Sequence, residues 1–369
     1  MEPLSHRLPD FPWDVLAPYA ELARSHPNGV VDLSMGTPID PVPELVQKAL
    51  REASDAPGYP TTAGSPALRE AIANYVHRRC GGVDIDVDSV LPTIGLKELV
   101  AWLPTWLGLG PDDAVVVPEL AYPTYAVGAQ LAGANVVRTD DPALWPSNTK
   151  LVWVNSPANP TGRVLDAETM ARIVTEARAR GAVVVSDECY FELGWDATPI
   201  SALNPVVCGD SREGVLIAHS LSKRSNLAGY RAGFLAGDSQ LIEAVLAVRK
   251  HSGMIVPTPV QAAMTAALDD DSHAQAQRDR YEARRLSLWS GLAAAGFEVQ
   301  HSQAGLYLWV KHNSSCWDTV EWMASRGVLV SPGEFYGSAG ANHVRVALTA
   351  PDERVAAAVT RLVAVGAPL

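Results

Sequence analysis

The chain has 369 residues, 47% of them hydrophobic and 19% charged, and carries a formal net charge of −12. The composition is that of a globular enzyme, and the length calls for a large unit plus a smaller one rather than one small core. The acidic balance disfavours nucleic acid and anionic membranes, which select basic surfaces. No apolar run approaches the roughly 18 residues of a membrane helix. Cys80, Cys189, Cys208 and Cys316 lack a pairing pattern and read as reduced thiols. Residues 1–13 carry prolines and acids where a signal peptide would need an apolar stretch. These features together predict a cytoplasmic protein.

In chain order, Ser65 and Pro66 supply an N-cap and a first-turn proline, and apolar residues at 68, 72 and 75–76 predict a helix behind them. Asp84, Asp86 and Asp88 open like a calcium loop. The glycine at the sixth position is missing, and Gly95 stands where the bidentate glutamate belongs. Gly95 then leads an apolar helical stretch through Leu99, Val100, Trp102 and Leu103. Strand-like runs follow at 114–117, 134–138, 151–154, 182–186, 215–219 and 232–236. Helical patterns separate most of them, which predicts βαβ crossovers and an α/β fold with a mostly parallel sheet. After Pro257-Thr258-Pro259 the pattern predicts one long helix over 260–293, then strands at 305–310 and 344–348, a second and smaller α/β unit.

The chemistry concentrates around Lys223, in Ser220-Leu221-Ser222-Lys223, with Arg231 eight residues on in a glycine-flanked segment. A Schiff-base site needs a lysine whose amine is made nucleophilic by desolvation or nearby cations. The serine hydroxyls and the arginine supply donors for a phosphate. Taken alone, the segment also fits a lysine in an exposed strand-to-helix loop. Upstream, Val183-Val184-Val185-Ser186-Asp187-Glu188-Cys189-Tyr190 reads as a buried parallel strand ending in acids. Side chains at such ends face the ligand crevice of open α/β sheets. Asp187 is the expected partner of a pyridine nitrogen, because Glu188 points the other way on the pleat. Asn159, in Asn159-Pro160-Thr161-Gly162 after the strand at 151–154, is placed to donate to a phenolic oxygen. Gly95 ahead of a helix leaves N–H groups open to a phosphate.

Rival chemistries lack their parts. There is no Gly-x-Gly-x-x-Gly after a strand and no Gly-x-x-x-x-Gly-Lys, which removes the phosphate loops of dinucleotide and nucleoside-triphosphate folds. The nine histidines show no ligand pairs at helical spacing, and no metal is expected.

Gly95-Leu96-Lys97-Glu98, the segment from Pro118 to Pro123, Asn159 to Gly162, Asp187 to Tyr190, Ser220 to Lys223, and Arg345 occur in the order seen in one family. The chain resembles the fold-type I, class I/II pyridoxal phosphate aminotransferases over nearly its whole length. Residues 8–14, 57–64, 118–125 and 249–254 resemble the N-succinyldiaminopimelate aminotransferases of actinobacterial lysine biosynthesis in particular. The resemblance implies a large cofactor-binding domain at 45–258, and a smaller domain formed by 1–44 with 259–369. It implies pyridoxal 5′-phosphate as cofactor and Lys223 as the residue that joins it covalently and then moves the α-proton. Asp187 pairs with the ring nitrogen, Tyr190 and Asn159 bond the phenolic oxygen, and Tyr122 stacks on the ring. Leu96, Lys97, Ser220, Ser222 and Arg231 hold the phosphate. Arg345 and the Gly36 backbone hold the substrate α-carboxylate, beside Tyr122 and Asn159. Tyr59 reaches the neighbouring subunit's phosphate in a homodimer.

The implied partners are small amino and keto acids. Glutamate donates the amine, and N-succinyl-2-amino-6-oxopimelate accepts it. Another class I/II aminotransferase (aspartate, alanine or aromatic type) or a carbon–sulfur lyase on the same cofactor is the nearest alternative. A cofactor-binding regulatory domain is more distant, since residues 1–60 leave no room for a basic helix-turn-helix. Both proposed substrates carry a second carboxylate. Arg224, Lys97 and the Arg249-Lys250-His251 run are the candidates for it, with no family-matched residue among them.

Overall fold

The computed structural model describes residues 3–364; residues 1–2 and 365–369, the outer ends of the expected smaller domain, lie outside the described residues. The strands are β1 (Val31–Asp32), β2 (Val90–Ile94), β3 (Ala114–Val117), β4 (Asn135–Arg138), β5 (Thr149–Asn155), β6 (Val183–Asp187), β7 (Val215–Ser220), β8 (Ala232–Gly237), β9 (Glu298–Gln300), β10 (Tyr307–Lys311), β11 (Val328–Leu329), β12 (Ser331–Pro332) and β13 (His343–Ala347). Seven of them form the main sheet, in the order β2-β8-β7-β6-β5-β3-β4. Only β8 runs against its neighbours, pairing antiparallel with both β2 and β7.

Helices cover both faces of this sheet, so alternate side chains of one strand enter different cores. Val115 and Val117 pack on one face with Trp153, Val185 and Leu235. Val116 packs on the other with Val152, Val154, Val184 and Phe234. A second sheet, ordered β12-β13-β10-β9, is antiparallel throughout. Its core also takes in Leu16, Ala20, Val31 and Leu33 from the start of the chain, and β1 pairs parallel with β11. No helix among the described residues is long and apolar enough to cross a membrane.

The six strands expected between 114 and 236 form within a residue or two of their expected bounds, and Ser65 caps its helix by accepting from the Leu68 N–H. Two expectations need correction. The single helix over 260–293 is two helices, Thr258–Asp269 and Ser272–Ala294. Between them Asp270 is extended, and its carboxylate accepts from the Ser272 hydroxyl at 2.7 Å and the His273 N–H at 3.0 Å. That side-chain capping competes with helix continuation, and apolar periodicity does not register it. The other concerns strands the pattern did not predict: the short β1, β9, β11 and β12, and β2 in the main sheet. In β2, Pro92 argues against a strand, but β2 lies at the sheet edge, where a missing N–H is tolerated.

Gly128 sits inside the helix Thr124–Ala132, where propensity alone favours alanine. A Cβ there would come within 2.5 Å of the Val100 carbonyl oxygen on the helix Gly95–Trp106. We therefore expect Gly128→Ala to lower stability by about 1–3 kcal/mol through overpacking. Thermal unfolding checks this, and a raised midpoint would mean that propensity wins.

Candidate active site

Three adjacent strands of the main sheet end in polar residues that meet at one place: β5 in Asn155, β6 in Asp187 and β7 in Ser220. Gly95 follows the end of β2. A cavity of about 660 Å³ opens at these ends. Every site residue expected from the sequence lines it except Tyr59, which is fully exposed.

The β6 pleat separates the two acids as expected. Asp187 faces the cavity and accepts from the Tyr125 hydroxyl at 2.7 Å and the Cys189 N–H at 3.1 Å. Burial raises its pKa, and those two donors oppose the rise. Tyr125 is itself held by stacking on Trp153, with ring centroids 4.9 Å apart. Glu188 turns into the core, where the Ala202 N–H and Ser201 hydroxyl donate to one oxygen and His219 Nε2 lies 2.9 Å from the other. Cys80 joins this buried group, which accounts for a carboxylate in the core through mutual hydrogen bonds.

Lys223 lies on the short helix Leu221–Arg224 directly after β7, and its Nζ donates to the Gly36 carbonyl. Burial lowers its pKa, and Arg345 and Arg231 push the same way. Arg345 on β13 is 3% exposed, too little for its charge to be held by water. One guanidinium nitrogen donates to Asn159 Oδ1 at 2.9 Å and another to the Ser34 carbonyl at 2.7 Å. Asn155 shapes the Asn159 loop, accepting from the Asn159 N–H at 2.7 Å and donating to the Asp187 carbonyl at 2.9 Å.

Gly95, with φ of +66°, turns the chain into the helix that carries Leu96 and Lys97, and no side chain caps that helix start. A Cβ at Gly95 would lie 2.8 Å from the Arg231 guanidinium carbon, so glycine allows arginine to pack against the helix start. Arg231 adopts a left-handed backbone, with φ of +57°. Ser220 caps the Lys223 helix, accepting from the Ser222 N–H at 3.1 Å.

The sequence reading missed Tyr125, Cys189, Tyr307 and the outer wall at 8–13, all of which line the cavity. Tyr125 lies on the first turn of the helix Thr124–Ala132, with its ring edge-on to that of Tyr122, their centroids 5.9 Å apart. Tyr307 was not detectable, because its neighbours come from strand pairing. Of the candidates for a second carboxylate, Arg224 is paired with Glu192 at 2.8 Å and Arg249 with Glu98 at 2.5 Å. Lys250 and His251 lie on an exposed helix end away from the cavity. Lys97 alone of these lines it, its Nζ 5.5 Å from the centre of the Phe11 ring.

Removing the Tyr125 hydroxyl takes a donor from an already destabilised carboxylate, so Tyr125→Phe should raise the Asp187 pKa further. The protonated form then persists to higher pH. Carboxyl infrared or carbon-13 NMR titration of the cofactor-free protein reads this directly, and an unmoved midpoint would show that the hydroxyl does not matter.

Residues 28–362 match the family model for aminotransferase class I and II. A probable aminotransferase of Mycobacterium tuberculosis is 59% identical over 360 residues, covering 97% of this chain and 86% of the relative. The 4-dedimethylamino-4-oxo-anhydrotetracycline transaminase OxyQ of Streptomyces rimosus is 55% identical over 356 residues, covering 96% and 99%. Among solved structures, a probable N-succinyldiaminopimelate aminotransferase from Thermus thermophilus matches with a TM-score of 0.86 at 27% identity, covering 96% and 100%. A cavity at strand ends, with a buried lysine, an acid and an arginine on its lining, thus comes with whole-length likeness, and the chain belongs to the class I and II aminotransferases, a pyridoxal-phosphate-dependent family of fold type I.

Proposed function

We propose that this chain moves an amino group from L-glutamate to N-succinyl-2-amino-6-oxopimelate in two half-reactions, as a cytoplasmic homodimer. The cavity fits pyridoxal phosphate. An uncapped helix start with Gly95 and Arg231 beside it suits the phosphate, and the Asp187 carboxylate suits a ring nitrogen. When bound, the cofactor supplies the aldehyde carbon that takes the amine and the ring that draws electrons from the substrate α-carbon.

The protein's part is binding, orientation and proton movement. The N–H groups of Leu96 and Lys97, the hydroxyls of Ser220 and Ser222, and Arg231 hold the phosphate. Asp187 keeps the proton on the ring nitrogen. Tyr122 covers the ring. Tyr190 and the Asn159 amide nitrogen donate to the phenolic oxygen, while Asn159 Oδ1 remains committed to Arg345. Arg345 takes the substrate α-carboxylate with the Gly36 backbone beside it. The lowered pKa of Lys223 leaves its amine free to take the proton from the α-carbon and return it to the cofactor carbon.

The observation that carries the substrate reading is Lys97. Lys223, Arg231 and Arg345 have posts at the reacting end, and among the described residues Lys97 is the cavity cation left for the second carboxylate that both substrates carry. A second reading, a polycyclic ketone as acceptor, is favoured by the aromatic outer wall of Phe11 and Trp13 and by the likeness to the tetracycline transaminase. Half-reactions with a panel of acceptors separate the two. The first reading expects Lys97→Ala to weaken dicarboxylate use selectively, and equal use of uncharged ketones would favour the second.

Lys223→Ala should lose about 10³-fold or more in turnover while the phosphate donors retain cofactor. Turnover within tenfold of the parent would remove Lys223 from its role. Tyr59, exposed between Gly58 and Pro60, is proposed to complete the partner subunit's phosphate site, in the twofold arrangement common for such assemblies. Mixing Lys223→Ala with Tyr59→Phe should restore activity in hybrid dimers. A monomer in solution, or no recovery despite subunit exchange, would count against a shared site.

A further inference from the structure

We infer that Tyr307 is a positioning residue of this active site, its ring seating the Arg345 guanidinium and its hydroxyl directing the hydrogen bond of Tyr190. The inference rests on the reading above, in which Arg345 binds the substrate carboxylate and Tyr190 the phenolic oxygen.

The ring half follows from strand pairing. β10 and β13 pair antiparallel with Trp309 opposite Arg345 and Tyr307 opposite Ala347. Tyr307 is therefore the diagonal neighbour of Arg345 on the same face, within reach of an aromatic side chain. The Arg345 guanidinium carbon lies 3.8 Å from the Tyr307 ring centre and 4.9 Å from that of Tyr336. Two of its nitrogens are committed to Asn159 and Ser34, and Nε has no hydrogen-bond partner among the described residues. Among the described residues no carboxylate pairs with this cation, so aromatic faces and carbonyl oxygens hold it in the buried site. The planar fork is thereby fixed before a substrate carboxylate arrives.

The hydroxyl half follows from Gly36. A Cβ at Gly36 would collide with the Tyr307 hydroxyl, so that oxygen fills the space a side chain would take. The Gly36 carbonyl accepts from Lys223, which puts the Tyr307 hydroxyl at the reacting end of the cavity. There it lies 3.2 Å from the Tyr190 hydroxyl. Either oxygen can donate, because hydroxyl hydrogens rotate. Where Tyr190 would donate its hydrogen bond to a cofactor oxygen, Tyr307 would become the donor to Tyr190, and a chain of two hydroxyls would strengthen the outer bond.

Three variants test this in the holoenzyme, with thermal melting of each to confirm folding. Tyr307→Phe keeps the ring and loses the hydroxyl. The pH midpoint of the bound cofactor's visible absorption should rise by about half a unit, since a weakened donor holds the deprotonated oxygen less well. KM for glutamate should stay within about twofold, because the ring remains. Tyr307→Leu also removes the ring, and KM for glutamate should rise about tenfold. Tyr190→Phe separates the two layers of the argument. If it leaves the midpoint unmoved, the assigned role of Tyr190 fails, and the hydroxyl half of the inference fails with it. If it raises the midpoint and Tyr307→Phe does not, the role of Tyr190 stands and the hydroxyl half is overturned. A Tyr307→Leu enzyme that folds and keeps the parent KM overturns the ring half.

Discussion

Strands buried on both faces leave few places for charge, and the active site follows from that constraint. Along β3, β5 and β6, successive side chains enter the cores above and below the sheet, so ionisable groups along their length would be desolvated without recompense. The carboxyl ends are different. Asn155, Asp187 and Ser220 sit where the strands stop and the backbone turns away, and each finds a partner in the residues that follow it. The cavity exists because helices cover the faces of the sheet and leave its end open.

Inside the cavity, the charged groups are held by different means. Asp187 is buried, and Tyr125 and Cys189 donate to it so that its charge is not left uncompensated. Among the described residues no carboxylate pairs with Lys223, and burial, joined by Arg345 and Arg231, lowers its pKa. Arg345 is held by carbonyls and rings, which leaves its charge available to a substrate. Arg224 and Arg249 illustrate the opposite outcome. Each is buried against a glutamate, so its charge is spent within the fold. Burial alone therefore does not set Arg345 apart from Arg224 and Arg249; its lack of a carboxylate partner among the described residues does.

The outer part of the cavity is less polar than its floor. Phe11 and Trp13 come from a segment that packs onto the smaller sheet's side, with the Trp13 ring 5.4 Å from Phe335. An apolar wall facing one lysine suits a ligand with a long hydrocarbon stem and a terminal charge, because the stem loses water while the charge keeps a partner. The titratable groups thus gather at the strand ends, and the aromatic wall comes from the opening segment.

The chain itself determined everything that depends on local pattern. Short β-branched runs between helical stretches specify the parallel sheet, and an acid ending one such run specifies which carboxylate faces the crevice, because the pleat alternates. Lys223 among serines, with Arg231 at a fixed distance, was legible for the same reason: the contacts of one loop are encoded within one loop. Capping by Asp270 and the edge position of β2 escaped, since side-chain hydrogen bonds and place in the sheet leave no periodicity. Tertiary structure alone decided which of Arg224, Arg249 and Lys97 keeps a free charge, because their partners lie tens of residues or more away in sequence. It also decided that Tyr307 meets Arg345, Tyr190 and Gly36. Those contacts depend on the register of β10 against β13 and on the start of the chain folding back to its end, and no local pattern encodes such a meeting.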